Sequence, residues 1–264
     1  MVGEKSNVSR FLSSVFLVLT YVFAYAPIVI LTIVSFNAAG LASSWGGFSL
    51  KWYQKFFSSG EMVSALWASL IIAFASTLLS IVLGFFVVAA SKWWQPKWLF
   101  SIFYPSVILP EIVMGVGILC LFAVVGAPLG YNSVIAGHTL VGLGFVVPMV
   151  RARFEEIDPF LTEASLDLGA SYFQTFWRIQ LPLLFPTLLA AGFIAFTLSL
   201  DDFFIAYFCA GPTLETVSLY VYAQVKSIAD PSINALSVVL FLVSALVAFV
   251  LVRTKVMDRI VVNE

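Results

Sequence analysis

Three carboxylates, Glu111, Asp201 and Asp202, interrupt stretches of sequence that are otherwise apolar and long enough to cross a bilayer. A charge at the bilayer centre costs at least about 2.5–3.5 kcal/mol, so such groups face a cavity, a partner or one another and mark a pathway by default. No Lys or Arg lies in these stretches to neutralise them. Bases from a partner chain are one complement, and a cationic cargo is the simplest. Glu111 follows Pro110, which cannot donate to the Ser106 carbonyl, so a bend and a bare acceptor are expected beside the carboxylate. Asp201 and Asp202 are adjacent and would point about 100° apart on a helix. One of them can line a path while the other bonds to a neighbouring helix or caps an unwound turn. Purely structural hydrogen bonding between helices remains the other account of all three. Counted along the chain, Glu111 falls near mid-membrane and the two aspartates in the outer half.

Other groups with chemical potential are fewer. Tyr220 and Tyr222 follow Asp202 and read either as faces for a cation or as tyrosines at headgroup depth. His138 reads as a helix-packing donor. Cys120 and Cys209 lie in apolar stretches without the spacing of a metal site or a disulfide framework, and read as small buried hydrophobes. A membrane enzyme would need a catalytic cluster, and one histidine with no Ser/His/Asp or metal spacing speaks against that class.

A second cluster is polar and lies between apolar stretches, over residues 155–182. Asp158-Pro159 is a helix start, because the aspartate caps and the proline lacks an N–H that would be orphaned anyway. The expected helix runs from Pro159 to Leu168 and stops at Gly169, the usual left-handed terminator. Ser171 with Gln174 three residues on forms a capping box for a second short helix, which Leu181-Pro182 should end. A helix, a tight turn and a helix make a rigid knob with an apolar face, suited to sit in a partner's groove; the bland alternative is a hairpin lying on lipid.

The elements that position these groups follow from composition. The 264 residues are 61% hydrophobic and only 10% charged, against about 25% charged in soluble domains. Six stretches reach the roughly 20 apolar residues of a spanning helix: 11–36, 64–91, 100–127, 133–151, 184–210 and 235–252. An all-α membrane fold in a single domain over 1–264 is expected. The fourth stretch carries Gly137, Gly142 and Gly144, which suits close packing in lipid. Lys5 and Arg10 precede the first stretch, but it is too long for a signal sequence and reads as a retained helix. With both termini inside, Lys5, Arg10, Lys92, Lys97, Arg151, Arg153, Arg178, Arg253, Lys255 and Arg259 face the cytoplasm, against Lys51, Lys55 and Lys226 outside. The external segment 37–63, with Trp45, Phe48, Trp52 and Tyr53, reads as an interfacial aromatic belt or as part of a docking surface. No inverted repeat of the kind found in secondary transporters is evident.

The loop motif resembles the cytoplasmic signature of binding-protein-dependent ABC permeases. It stands here as Glu163-Ala164-Ser165, Gly169 and Ile179-Gln180-Leu181-Pro182, with Ser165 where the family has alanine. The resemblance implies a type I importer permease with six transmembrane helices and coupling helices that dock on an ATPase. Its ATP-coupling residues would be Glu163, Ala164, Ser165, Gly169, Ile179, Leu181 and Pro182. The chain has no phosphate-binding G-x-x-x-x-G-K-[ST] loop, so ATP and Mg would belong to two copies of a separate ATPase chain. A second permease subunit and an external solute-binding protein are implied as well; nucleic acid is not. Over nearly its whole length the chain is similar to the second permease of spermidine/putrescine importers. Phe196-Thr197-Leu198-Ser199-Leu200-Asp201-Asp202, Gly211-Pro212, Asn234-Ala235-Leu236, Tyr25-Ala26-Pro27 and Leu109-Pro110-Glu111-Ile112-Val113 carry that similarity. That family commonly has Asp where Glu111 stands. The resemblance implies a weakly binding acidic path for polyamines, with Glu111, Asp201, Asp202, Tyr220 and Tyr222 along it, in an inner membrane. Another cargo, such as ferric ion, thiamine or an opine-like cation, is the nearest alternative.

Overall fold

The computed structural model describes residues 2–39, 44–91, 100–226 and 230–253, with side chains described from 11 to 250. Lys92, Lys97, Lys255 and Arg259, and the side chains of Lys5, Arg10 and Arg253, lie outside what is described. Among the described residues the regular structure is helical, apart from one isolated bridge between Asn37 and Phe48. The chain divides into two compact units, residues 1–60 with 224–242 and residues 61–223 with 243–264.

In the first unit, α1 (Val2–Ser35) is apolar and exposed around its circumference. That is the pattern of a helix meant for lipid or other membrane helices. It leads into a compact segment built around buried Asn37. The Asn37 side chain donates to the Ser44 carbonyl at 2.6 Å and accepts from Ala39 and Gly46 N–H at 3.1 and 2.8 Å. Trp52 Nε1 donates to the Asn37 carbonyl at 2.8 Å. Trp52 and Tyr53 sit on a short helix, α2 (Lys51–Ser58), where Tyr53 bonds Ser35 and stacks on Phe36. Two aromatics expected at headgroup depth are therefore partly spent on internal structure, while Trp45 and Phe48 remain exposed. Lys55 forms an ion pair with Asp230.

The second unit holds the functional residues. After α3 (Gly60–Ala90), a single turn over Phe100–Ile102 and α4 (Pro105–Ile108) lead to α5 (Glu111–Val125). The chain turns by 117° between Ile108 and Glu111, so the expected bend at Pro110 is a full break of the third span. Among the described residues five helices are long and apolar enough to cross a membrane, six with this bent pair as one span. α6 (Tyr131–Glu155) ends in Arg151–Glu155 and Arg153–Glu156 pairs at 2.7 and 2.9 Å.

The knob follows as α7 (Pro159–Asp167), then α8 (Tyr172–Thr175), a widened turn over Phe176–Gln180, and α9 (Leu181–Asp201). Here the structure corrects the sequence reading: the second knob helix does not stop at Leu181-Pro182 but runs on to Asp201 without leaving helical geometry. Pro182 lacks the N–H that an α-helix would aim at residue 178. The Leu181 N–H instead reaches the Phe176 carbonyl, five residues back, and the wide turn absorbs the defect.

A second correction concerns the fifth span, expected to continue to residue 210. α9 ends at Asp201, Asp202 is extended (φ −64°, ψ 132°), and a separate helix, α10 (Phe204–Cys209), follows. α11 (Val217–Lys226) and α12 (Ser232–Arg253) complete the chain.

α6 and α9 pack along one another over their lengths. One apolar cluster joins Val88, Val146, Val150, Leu184 and Ala191; a second joins Ile72, Ile118, Val134, Ile205 and Cys209. Glycine sets the approach distances: a Cβ on Gly137 would come within 2.5 Å of Ile205, and one on Gly142 would collide with Ser80 Oγ. Close approach through small residues is the usual means of association in lipid. It brings α6 near enough to the break after Asp201 for side chains to bridge the two.

Candidate functional site: a broken-helix acid cluster and a polar knob

The two helix breaks of the second unit meet, because α5 and α10 pack on one another. Glu111 is the first residue of α5, and Asp202 precedes α10. Glu111, His138, Ser199 and Asp202 line one small cavity together with Val141, Ala195, Leu198 and Ile205. Asp201, Asp202 and His138 are all near enough to act electrostatically on the Glu111 carboxylate.

Asp201 and Asp202 do different work. Asp202 is 7% exposed, and both its oxygens are occupied. Oδ1 accepts from Ile205 N–H at 3.4 Å, and Oδ2 accepts from Ala206 N–H at 3.0 Å and lies 3.1 Å from His138 Nε2. It is the cap of an unwound turn, one of the two roles foreseen for the adjacent pair. Its backbone carbonyl accepts from Ser218 at 2.8 Å, which fixes the break on the far side as well. Asp201 is exposed on the last turn of α9. Neither Asp201 nor Glu111 makes a side-chain hydrogen bond or ion pair among the described residues. The cluster thus contains one committed carboxylate and two free ones.

His138 is the residue whose part in this cluster sequence reasoning missed. Its Nδ1 lies 2.5 Å from Ser199 Oγ, and its Nε2 contacts Asp202. The ring is buried and bridges α6 to both sides of the α9 break. Its partners stand 61 and 64 positions away, so no local spacing announces them. Helix packing, the role assigned from sequence, describes only part of what it does.

Of the two tyrosines, Tyr220 is buried within the subunit, whereas Tyr222 is partly exposed. Tyr222 packs on Phe203 and Tyr207, with ring centroids 4.8 and 6.0 Å away. This aromatic group begins one residue after Asp202.

At the knob, Asp158 accepts from Phe160 N–H at 2.9 Å, and the Ser171–Gln174 capping box is present in both directions, at 3.2 and 2.9 Å. Gly169 has φ +84°, the left-handed region that a side chain would strain. Two bonds tie α7 to the helix after the turn: Ser165 Oγ to Thr175 Oγ1 at 2.9 Å, and Gln180 Nε2 to Thr162 Oγ1 at 3.2 Å. Ser165, the departure from the family motif, is therefore a cross-brace and not just a small residue. Phe160, Leu168, Tyr172, Phe173 and Trp177 project outward, and an apolar groove of about 500 Å³ is lined by Tyr172, Phe173 and Trp177 together with Phe86, Ala89 and Ala90 of α3.

Residues 76–261 match the model of the family described as "binding-protein-dependent transport system inner membrane component". The spermidine/putrescine transport system permease protein PotC of Haemophilus influenzae is 35% identical over 237 residues, 89% of this chain and 92% of that protein. The putrescine transport system permease protein PotI of Escherichia coli is 30% identical over 246 residues, 89% of this chain and 88% of that protein. Among solved structures, a bacterial alginate ABC transporter in complex with an alginate pentasaccharide-bound periplasmic protein superposes with a TM-score of 0.71 at 16% identity, over 96% of this chain and 95% of that one. The MetNI methionine ABC transporter, in inward-facing form, gives 0.60 at 22% identity, over 76% and 99%. Those structural likenesses carry the fold: all-α, of the type I ABC importer permease kind. The chain belongs to the family of binding-protein-dependent transport system inner membrane components, as a multi-pass membrane permease.

Proposed function

We propose that this chain forms half of the path by which an ATP-driven importer carries polyamines across the inner membrane. Glu111 and Asp201 face the ammonium groups, and the aromatic surface of Phe203, Tyr207 and Tyr222 accompanies the alkyl chain. Asp202 holds the break that presents Asp201. The observation that carries the reading is the pair of unpartnered carboxylates, on two broken spans, beside a third that is fully bonded. The names of relatives at 30–35% identity give the cargo class. An acidic path of modest affinity passes a polycation onward, whereas a tight site would stall it.

The knob docks by its exposed aromatic face into a cleft on the ATPase. Because α8 and α9 are one helix, movement at the knob is delivered directly to Asp201 at the other end. In this reading the whole chain acts as one permease domain with both termini in the cytoplasm. It pairs with a second permease subunit, two ATPase chains that bind ATP and Mg, and an external solute-binding protein.

The test is uptake of radiolabelled spermidine and putrescine by cells lacking this chain, with and without the wild-type chain restored. Uptake lost and then regained supports the cargo. Unchanged uptake in the deletion overturns the polyamine assignment and leaves a permease for another solute.

A further inference from the structure

We infer that His138 is a positioning residue for transport: its imidazole fixes the Asp202 cap and thereby the direction in which Asp201 meets the cargo. Asp202 as a carboxylate only accepts, so the proton between them sits on His138 Nε2. Nδ1 is matched by the Ser199 hydroxyl, 2.5 Å away. Ser199 also lies 3.3 Å from Ser76 Oγ of α3, so the chain of polar contacts runs from α3 through α9 and α6 to the break. Every polar atom of the imidazole is matched, and the ring and its partners are buried. No other side chain among the described residues hydrogen-bonds the Asp202 carboxylate oxygens; the remaining donors to them are the N–H groups of Ile205 and Ala206.

The consequence is geometric. Asp201 and Asp202 are consecutive, so the peptide between them cannot turn without moving both carboxylates. Asp202 is pinned by His138 on one side and by Ser218 on its carbonyl. Removing the imidazole frees Oδ2 on the His138 side and leaves a buried anion short of a donor. The break then relaxes, and Asp201 loses its fixed bearing toward Glu111. His138 itself touches no cargo in this account; it acts through Asp202.

This inference rests on the polyamine reading, and the experiment separates the two. Spermidine uptake is measured as a function of concentration in the deletion strain carrying wild type, His138→Ala, His138→Gln, Asp202→Asn or the His138→Ala/Asp202→Asn pair, each quantified in the membrane. Loss of a hydrogen bond to a charged group predicts that His138→Ala raises the apparent KM by about tenfold. His138→Gln, whose amide both donates and accepts, is expected within about threefold of wild type. Because both residues act through one bond, the double variant is no worse than the poorer single one. A wild-type KM in His138→Ala, or effects that multiply in the double variant, overturns the positioning role. So does failure of both His138 variants to accumulate, since that marks a residue needed only for folding. Wild-type cells that import no polyamine overturn the cargo reading, and this inference with it.

Discussion

The knob and the acid cluster both depend on capped helix ends, yet they are assembled in opposite ways. At the knob every capping partner is a near neighbour in sequence: Asp158 with Phe160, and Ser171 with Gln174. At the cluster, only the backbone donors to Asp202 are local, and its side-chain donor His138 comes from another helix. The first kind of site is built by the chain on its own. The second exists only once α5, α6, α9 and α10 have packed. A docking element benefits from being rigid before its partner arrives, whereas a gate must be able to come apart when the helices move. The long-range bond makes the cluster sensitive to helix displacement, which acts on it directly.

Perturbations should separate the two regions by size and kind of effect. The largest is expected at the free carboxylates. Glu111→Gln or Asp201→Asn removes a charge-assisted contact and is expected to lower polyamine uptake by about tenfold or more with normal membrane levels. The measurement is initial-rate uptake normalised to immunoblot signal, and near-normal rates in both variants would remove the cargo role from the cluster. Gly169→Val comes next. A β-branched residue at φ +84° costs roughly 1–2 kcal/mol and should tilt α7 against the helix after it. ATP hydrolysis by the assembled transporter should lose its coupling to transport while cargo affinity stays unchanged, which distinguishes a knob defect from a cluster defect. Ser165→Ala is milder. It removes one cross-brace worth about 1 kcal/mol and leaves the Gln180–Thr162 bond, so uptake is expected to fall by about threefold or less.

The smallest effect lies outside both regions. Burial works to raise the Asp230 carboxyl, but hydrogen bonds from Lys55 and from Ser232, with the Lys55 charge, outweigh it and hold the group below its ordinary 3.8. A lowered carboxylate stabilises the folded state above the unfolded value and loses that contribution as pH falls through the folded value. The pair is partly exposed, so Lys55→Met should cost at most about 1 kcal/mol at pH 7. Thermal unfolding in detergent should show that difference shrinking once the pH drops below 3.8. A difference that persists at low pH would mean Lys55 acts through its packing on Trp52.

How much of this was legible in the sequence follows the same division. The knob was legible nearly residue by residue, because caps, proline at the first turn and the left-handed glycine are local signals. The bend at Pro110 was legible for the same reason, although its sharpness was not. Pro182 misled, because a proline after a polar helix reads as a stop, and only the widened turn over Phe176–Gln180 lets the helix pass. The break after Asp201 was hidden in apolar sequence: Phe204–Cys209 carries no polar or glycine punctuation, so hydropathy runs straight through it. His138 had no signal at all. A lone histidine in a glycine-rich helix gains meaning only when Gly137 and Gly142 have let α6 approach its neighbours.

The central claim is that a polyamine passes the two unpartnered carboxylates at the helix breaks. Photo-crosslinking tests it most directly, using a spermidine analogue with a diazirine in its alkyl chain, applied to the assembled transporter in membranes and mapped by peptide mass spectrometry. The account predicts adducts on this chain around Glu111–Met114 and Leu198–Tyr207, suppressed by excess spermidine and reduced in Glu111→Gln. Spermidine-protected adducts confined to other segments, with these two unlabelled, would contradict it.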